Sequence, residues 1–271
     1  ALRGLIIILL EKIIWNPMLY GKLALTQFSV LFGLGGVLVV CALFIRLNKN
    51  FLFVMGLAVI LLTQILPQWL INAGVYGKPL VIMLLVPKLT GTWLNMYPVF
   101  PWMGISLLGM VFAKEIIANR KKAFTRLLFA GLICLVLFPI VRWAGGFGNF
   151  QKPAGSDMID FFNIVKYPPS LVYTLLTLGI NSVILYLFET FQQRLPGLQN
   201  PLLVFGKTAL YFYLAHWFLF FGFGMPFYFI KGNFAWLYGC WLLGLFMLYP
   251  VCRQYLKFNQ QTNPDSVWRF I

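Results

Sequence analysis

Residues Pro98–Val141 read PVFPWMGISLLGMVFAKEIIANRKKAFTRLLFAGLICLVLFPIV. Two apolar runs, 98–118 and 123–141, lie on either side of a basic cluster from Arg120 to Arg126. Each run approaches the roughly 20 residues that cross about 30 Å of hydrocarbon. Basic residues collect at the cytoplasmic ends of membrane helices, so the stretch reads as two spans joined on the cytoplasmic side.

The same pattern runs outward in both directions. Further apolar runs lie near 2–20, 25–45, 51–71, 168–190, 201–222 and 234–252, which brings the expected number of spans to eight. Of the 271 residues, 61% are hydrophobic, 18% aromatic and 10% charged, and the mean hydropathy is +0.85. A soluble domain carries about 25% charged residues, so a water-soluble globule, a disordered segment and a disulfide scaffold are excluded. A transmembrane barrel shows short alternating segments, whereas these runs are continuous. The expected fold is all-α, a polytopic transmembrane helical bundle forming a single membrane domain over 1–271, with the lipid bilayer as its solvent. Glu11, Lys12 and Pro17 interrupt the first span. The stretch Leu80–Val86, between Pro79 and Pro87, is too short to cross and reads as an interfacial or re-entrant element.

The net charge is +15, from 21 Lys and Arg against 6 Asp and Glu. In a membrane protein this excess is accounted for by helix ends, and no nucleic-acid partner is expected. With Arg3 placed in the cytoplasm, that side also carries Arg46, Lys49, Lys114, Arg120, Lys121, Lys122, Arg126, Arg194, Lys207, Arg253, Lys257 and Arg269, thirteen in all. Lys12, Lys22, Lys78, Lys88, Arg142, Lys152, Lys166 and Lys231 make eight on the other. The long loops near 72–97 and 142–167 then face outward, and the C-terminus lies in the cytoplasm. Cys41, Cys134, Cys240 and Cys252 fall in or beside apolar runs and read as small packed hydrophobes. Cys240 and Cys252 would stand roughly 18 Å apart on one helix, and the cysteines show no metal-binding spacing. The chain opens at Ala1 directly on an apolar run, which points to a missing N-terminal portion.

A few polar residues interrupt the apolar pattern. Lys166-Tyr167-Pro168-Pro169-Ser170 opens the sixth span, with prolines where a helix has no partner for the N–H they lack. A helix N-terminus with a lysine beside it suits an anionic group, and a snorkelling lysine with an interfacial tyrosine accounts for the same residues. Asp157, Asp160 and Asn163 precede it as polar lining. Asn200 and Pro201 read as N-cap and first residue of the seventh span, with Lys207 two turns in. Together with Arg120, Lys121 and Lys122 they could hold the phosphates of a cytosolic nucleotide-bearing cofactor. His216 is the single histidine; counted from Pro201 along a straight helix it lies roughly 22 Å in, in the outward half of the membrane. Its neighbours Phe212, Tyr213, Leu219 and Phe220 also fit a packed core histidine, while an ionisable group inside a span is a functional candidate. Glu11 is the one acid within an apolar run. Lys12 does not face it on a regular helix, so its partners are expected on other helices, as an internal bond between spans. Glu115 and Glu189 read as interfacial. The chain holds no HExxH, GxSxG, Walker or kinase motif.

The strings NMYPVFPWMGISLLGM (Asn95 to Met110), KYPPSLVYTLLTLG (Lys166 to Gly179) and NPLLVFGKTALYFYLAHWFLF (Asn200 to Phe220) resemble the bacterial membrane family similar to the heparan-alpha-glucosaminide N-acetyltransferase catalytic domain. NPDSVWRF (Asn263 to Phe270) resembles that family's C-terminal tail, and RGLIIILLE (Arg3 to Glu11), followed by a run ending near Arg46, its third and fourth spans. The resemblance implies two earlier spans, the first carrying an Asp-His or Asn and His pair taken to be catalytic, with no counterpart in these residues. It implies transfer of an acyl group, acetyl foremost, from cytosolic acyl-CoA (acetyl-CoA) across the membrane to a sugar or glycan acceptor, without a metal. His216 then matches the family's histidine in the seventh span. Asn163, Lys166, Pro168, Pro169 and Ser170 match its outer-loop motif.

The leading expectation is a membrane-embedded acyltransferase of the bacterial inner membrane. Arg120, Lys121, Lys122, Asn200 and Lys207 bind the donor. Asn163, Lys166, Tyr167, Ser170 and Glu11 bind the acceptor, and His216 is catalytic, orienting or moving a proton. A homodimer or a larger membrane complex is the expected assembly. The rivals are a non-enzymatic membrane subunit and a small-solute or lipid-linked sugar transporter.

Overall fold

The computed structural model describes all residues except 22, 90, 154, 156, 192–199, 229–233, 264, 265 and 267–271, and the helical side chains of 221–228. Lys22, Arg194, Lys231, Arg269 and most of the 263–270 string therefore lie outside the described residues. The chain divides into two compact units, 1–190 and 191–271.

In the first unit a helical run begins the chain. α1 (Leu2–Leu10) passes through a π-helical turn, Glu11–Trp15, into α2 (Asn16–Tyr20). The wider turn stands just before Pro17, whose ring would clash with a carbonyl four residues back in a regular helix. Gly21, at φ 66°, ends the run. α3 (Val30–Leu43) is followed by α4 (Lys49–Asn72), which Asn48 caps by accepting from the Asn50 N–H at 2.8 Å. The short α5 (Pro79–Leu84) begins with proline in its first turn. It is six residues long, with Ile82 fully buried. Two-residue strands β1 (Gln27–Phe28) and β2 (Leu94–Asn95) pair in parallel.

α6 (Val99–Ala144) comprises 46 residues and holds both runs of the deciding stretch. A straight helix would separate Phe112 from Phe124 by about 18 Å, yet their rings meet at 5.3 Å. The chain doubles back at Asn119, the one residue inside α6 with non-helical dihedrals (φ −161°, ψ 101°). Its side chain accepts from the Lys122 N–H at 2.9 Å, restarting the helix. Gly145 (φ 63°) ends the second leg. α7 (Met158–Phe162) and α8 (Leu171–Phe191) complete the unit.

Among the described residues of the first unit, three helix pairs close on facing glycines. A Cβ on Gly4 or Gly35 would sit 2.5 Å from the other's carbonyl oxygen, joining α1 to α3. Gly56 and Gly104 do the same for α4 and the first leg of α6, at 3.1 and 3.0 Å. Gly131 and Gly179 join the second leg to α8 at 3.1 and 3.2 Å. Lipid tails are as apolar as leucine, so association of membrane helices relies on close packing that small residues permit. The core lies among α3, α4 and α6 and includes Phe32, Val37, Cys41, Leu52, Val59, Val99 and Leu107. Along the second leg Phe129, Ile133, Val136, Ile140 and Trp143 are exposed, at the three-to-four-residue spacing of one helix face.

The second unit holds α9 (Pro201–Lys207), α10 (Ala209–Tyr228) and α11 (Phe234–Gln261). Asn200 caps α9, accepting from the Leu202 N–H at 2.9 Å. The run is bent by 97° at Thr208. The straight-axis placement of His216 is therefore overturned: the residue lies two turns beyond a sharp bend. All four cysteines are free.

Among the described residues, α4, α6, α8 and α11 are long and apolar enough to cross a membrane, and the bent pair α9–α10 makes five. α3 is apolar but short.

Candidate functional site

At one end of the first unit, loops gather the aromatic and basic residues that the sequence singled out. The Tyr97 and Tyr167 hydroxyls lie 2.7 Å apart, with their rings edge to face at 4.9 Å. The Lys166 ammonium stands 5.6 Å from the Tyr97 ring and 5.1 Å from the Tyr167 ring, within cation–π range. Trp102 stacks on Tyr97 at 5.1 Å and meets Tyr173 edge-on at 6.5 Å. Its indole nitrogen is buried without a hydrogen-bond partner. Burial and the Tyr167 phenol push the Tyr97 hydroxyl up to about 12, against the pull of Lys166. Burial opposes the Lys166 charge, but the two phenols outweigh it and hold the ammonium above the usual lysine range. The cluster is an aromatic platform carrying one positive charge and neutral hydroxyls.

The backbone beneath it is pinned from several directions. Ser170 is fully buried; its hydroxyl accepts from the Tyr173 N–H at 3.2 Å and starts α8. Gln64 of α4 accepts from the Leu171 N–H at 2.9 Å and donates to the Pro169 carbonyl at 3.4 Å. Asn95, also fully buried, donates to the Ile82 and Met83 carbonyls and accepts from the Tyr97 N–H at 2.8 Å. Gly33 of α3 packs directly on the Tyr97 backbone, leaving no room for a Cβ. Arg142, 1% exposed, donates to the Asn163 carbonyl at 2.9 Å and so holds the loop before Lys166. The Asn163 side chain itself is exposed.

Glu11 sits at the start of α3. Its carboxylate accepts from the Ser29 N–H at 3.1 Å, the Ser29 hydroxyl at 2.6 Å and the Phe32 N–H at 2.7 Å. A carboxylate at a helix N-terminus satisfies orphan donors and meets the positive end of the dipole. The partners lie on another helix, as expected. Lys12 is a correction: its ammonium is 3.6 Å from Glu11. The long side chain folds over to donate to the Gln27 and Leu25 carbonyls at 2.5 and 3.3 Å, lying 4.0 Å from the Phe28 ring centroid. Glu11 thus faces the fold with its acceptor capacity in use.

The opposite end of the unit carries the basic cluster. Arg120 forms a two-pronged pair with Glu189, both bonds at 2.6 Å. Glu115 lies between Lys49 and Arg126 and bonds to both. Lys114 donates to the Ile45 carbonyl at 3.0 Å. Arg120 is therefore engaged, while Lys121 and Lys122 are exposed.

In the second unit, His216 is half-buried among aromatic rings: Phe212 stacked at 5.7 Å, Tyr213 at 5.4 Å, Trp217 at 5.3 Å and Phe220 at 6.2 Å. Its Nδ1 lies 3.2 Å from the Phe212 carbonyl. A carbonyl accepts only, so Nδ1 carries the proton in the neutral ring, leaving the basic lone pair on Nε2. Lys207 is exposed at the end of α9. Among the described residues no three His, Cys, Asp or Glu side chains gather as a metal site.

A family model, the catalytic domain of heparan-alpha-glucosaminide N-acetyltransferase, matches residues 3–145, just over half of the chain. The chain belongs to this family. No curated protein and no solved structure matches. The matched stretch of the N-acetyltransferase domain contains Glu11, Tyr97, Trp102, Arg120, Lys121, Lys122 and Arg142. Asn163, Lys166, Tyr167, Ser170, Asn200, Lys207 and His216 lie beyond it.

Within this N-acetyltransferase family member, sequence reasoning missed Tyr97, Trp102 and Arg142 as parts of the site. Tyr97 and Trp102 stand in the quoted string Asn95 to Met110, but their meeting with Tyr167 spans seventy positions and has no periodic signature. Arg142 counted only as one outward charge. Its signal was position: a guanidinium in the last turn of an apolar helix, immediately before a glycine-rich loop.

Proposed function

We propose that this protein is a membrane-embedded acetyltransferase that moves an acetyl group from cytosolic acetyl-CoA to a sugar hydroxyl or amine on the other side of the membrane. Family membership over residues 3–145 is the observation that carries this reading. The proposed topology places the basic end of the first unit in the cytoplasm and the Tyr97–Tyr167–Lys166 end outside. Among the described residues four helices, or five with the bent α9–α10 pair, are long and apolar enough to cross; the proposed eight-span topology counts α6 as two crossings, α1–α2 as one and α3 as a short one.

The outer platform suits a sugar. Apolar faces of a pyranose ring pack on aromatic rings, and hydroxyl oxygens need donors. Lys166, the one tyrosine O–H not used in the Tyr97–Tyr167 bond and the unpartnered Trp102 indole supply them. Lys166, Tyr167 and Asn163 are the proposed acceptor-binding residues, with Ser170 shaping their loop. Glu11 enters as the cap that fixes α3 beneath Tyr97. In the first unit Lys121 and Lys122 are the charges proposed for the donor's phosphates, on the cytoplasmic side; Lys207, in the second unit, is proposed by itself as a phosphate contact. Arg120 anchors the turn through Glu189, and Asn200 organises the start of α9.

In the transfer, the acceptor oxygen or nitrogen attacks the thioester carbon and the carbon–sulfur bond breaks. The acceptor's proton passes to a base and the departing thiolate is protonated. His216, with Nε2 as its basic nitrogen, is proposed to carry a proton in this exchange. The test is incubation of the purified full-length protein with labelled acetyl-CoA and a panel of amino sugars and glycans. Label in the acceptor, reduced at least about a hundredfold in His216→Ala, is expected; no label in any acceptor would remove the enzyme reading.

A further inference from the structure

We propose that Arg142 is the positioning residue of the outer loop. Its guanidinium holds Asn163 and the Lys166–Tyr167 step in the shape that receives the acceptor, an inference that rests on the acetyltransferase reading above.

A guanidinium has five N–H donors in a fixed planar fork, and here each has a partner. Nε donates to the Phe161 carbonyl at 2.9 Å. Nη1 donates to Asn149 Oδ1 at 3.0 Å and the Gln151 carbonyl at 2.7 Å. Nη2 donates to the Asp160 and Asn163 carbonyls at 2.8 and 2.9 Å. None of these bonds goes to a carboxylate. Asp160 favours the charge from a distance, but a buried charge bonded only to carbonyl oxygens is costly unless its geometry is well satisfied. It is present where several strands of backbone must be gathered at one point, which no apolar side chain can do.

The strands gathered are the two arms of one loop. The first arm leaves α6 at Gly145, turns at Gly148 (φ 88°) and is locked by Asn149, whose Nδ2 donates to the Val141 carbonyl at 2.8 Å. Gly148 also accepts from the Val172 N–H at 3.3 Å, so this arm lies against the first turn of α8. The second arm is α7 and Asn163, seated by Phe138 against Phe161 at 5.6 Å and Phe162 at 5.8 Å. It runs straight into Lys166 and Tyr167, where the Ser170 N–H closes back on the Val165 carbonyl at 3.0 Å. Gln64 fixes the far side at Pro169 and Leu171. Arg142 bonds both arms on the near side, beside the Phe138 packing. It offers no free donor to a ligand, so it acts through the loop.

The experiment compares full-length wild type, Arg142→Lys and Asn149→Ala in lipid nanodiscs. Lysine has three donors for five acceptors, and Asn149→Ala removes one acceptor, together with the Asn149 bond to the Val141 carbonyl, while leaving the arginine. Amide hydrogen exchange over 149–163 is read beside the Michaelis constants for acetyl-CoA and for an amino-sugar acceptor. The inference expects faster exchange in that segment with α4 unchanged. It also expects an acceptor KM raised about tenfold in Arg142→Lys and about threefold in Asn149→Ala, with kcat and the acetyl-CoA KM changed less than about twofold. Faster exchange with an unchanged acceptor KM would reduce Arg142 to a stabilising role and overturn the inference. So would unchanged exchange. A wild type with no turnover overturns the acetyltransferase reading instead, and the exchange comparison alone then decides whether Arg142 sets the loop. Should Arg142→Lys fail to fold, Asn149→Ala carries both readouts.

Discussion

The hydroxyls of Tyr97 and Tyr167, seventy residues apart in the chain, meet at 2.7 Å. That bond ties the loop before α6 to the loop before α8, so the platform exists only when both are folded. Tyr97→Phe and Tyr167→Phe should each cost about 1 kcal/mol of stability. The double variant should cost little more than either alone, since both remove one shared bond. Unfolding of the four proteins in one detergent checks this; additive losses would show that the hydroxyls act independently.

Trp102 behaves oppositely. Its indole N–H is buried without a partner, and an unmade hydrogen bond of this kind costs about 1–3 kcal/mol. Trp102→Phe should therefore destabilise far less than a large-to-small change, yet raise the acceptor KM by about fivefold or more if a ligand oxygen takes that donor. Thermal stability and KM measured on the same sample separate the two effects. Equal KM values would show that no acceptor oxygen reaches Trp102.

Packing predictions follow from the glycine pairs. Gly104→Leu must push against the Gly56 carbonyl and Ile60, and overpacking of this kind costs about 1–3 kcal/mol or more. Gly109, on the same helix, has open space at its Cβ position. Gly109→Ala should be neutral or gain up to about 1 kcal/mol from helix propensity. Yield of folded protein and thermal stability distinguish the pair.

The platform also sets a pH limit. Tyr97 moves from 10.0 to about 12, and Lys166 also holds its proton more tightly when folded. Both groups bind protons more strongly in the folded than in the unfolded chain. Their contribution is complete below about pH 10 and falls as pH rises through 12. The difference in 295 nm absorbance between wild type and Tyr97→Phe should show no phenolate from this residue at pH 10.5; ionisation there would place Tyr97 in water.

The helical character and the turn between 118 and 123 were legible in the sequence, because hydropathy and a basic cluster report directly on lipid and water. The Asn200 cap was legible for a local reason too: its partner is two residues away. Long-range pairings were not. Arg120 read as one of a cluster of phosphate ligands, and nothing near it in sequence announces its pair with Glu189. His216 was placed along a straight rod because one glycine, Gly206, is a weak warning of the 97° bend at Thr208: a single glycine is tolerated inside a helix. Arg142 was hidden for a different reason: four of its five bonds go to backbone carbonyls, which every sequence has, and the fifth to Asn149. Lys166 and Tyr167 were found as a motif, but their platform needed Tyr97 and Trp102 from a distant loop.

The most direct test is vectorial transfer. The full-length protein is reconstituted into sealed liposomes with labelled acetyl-CoA outside and an amino-sugar acceptor trapped inside, and the acetylated sugar is counted after lysis. The account predicts label in the trapped sugar from molecules inserted with the basic end outward, and loss of most of it with Lys166→Ala or His216→Ala. Labelled sugar that forms only when donor and acceptor share one side, or none at all, would contradict transfer across the membrane.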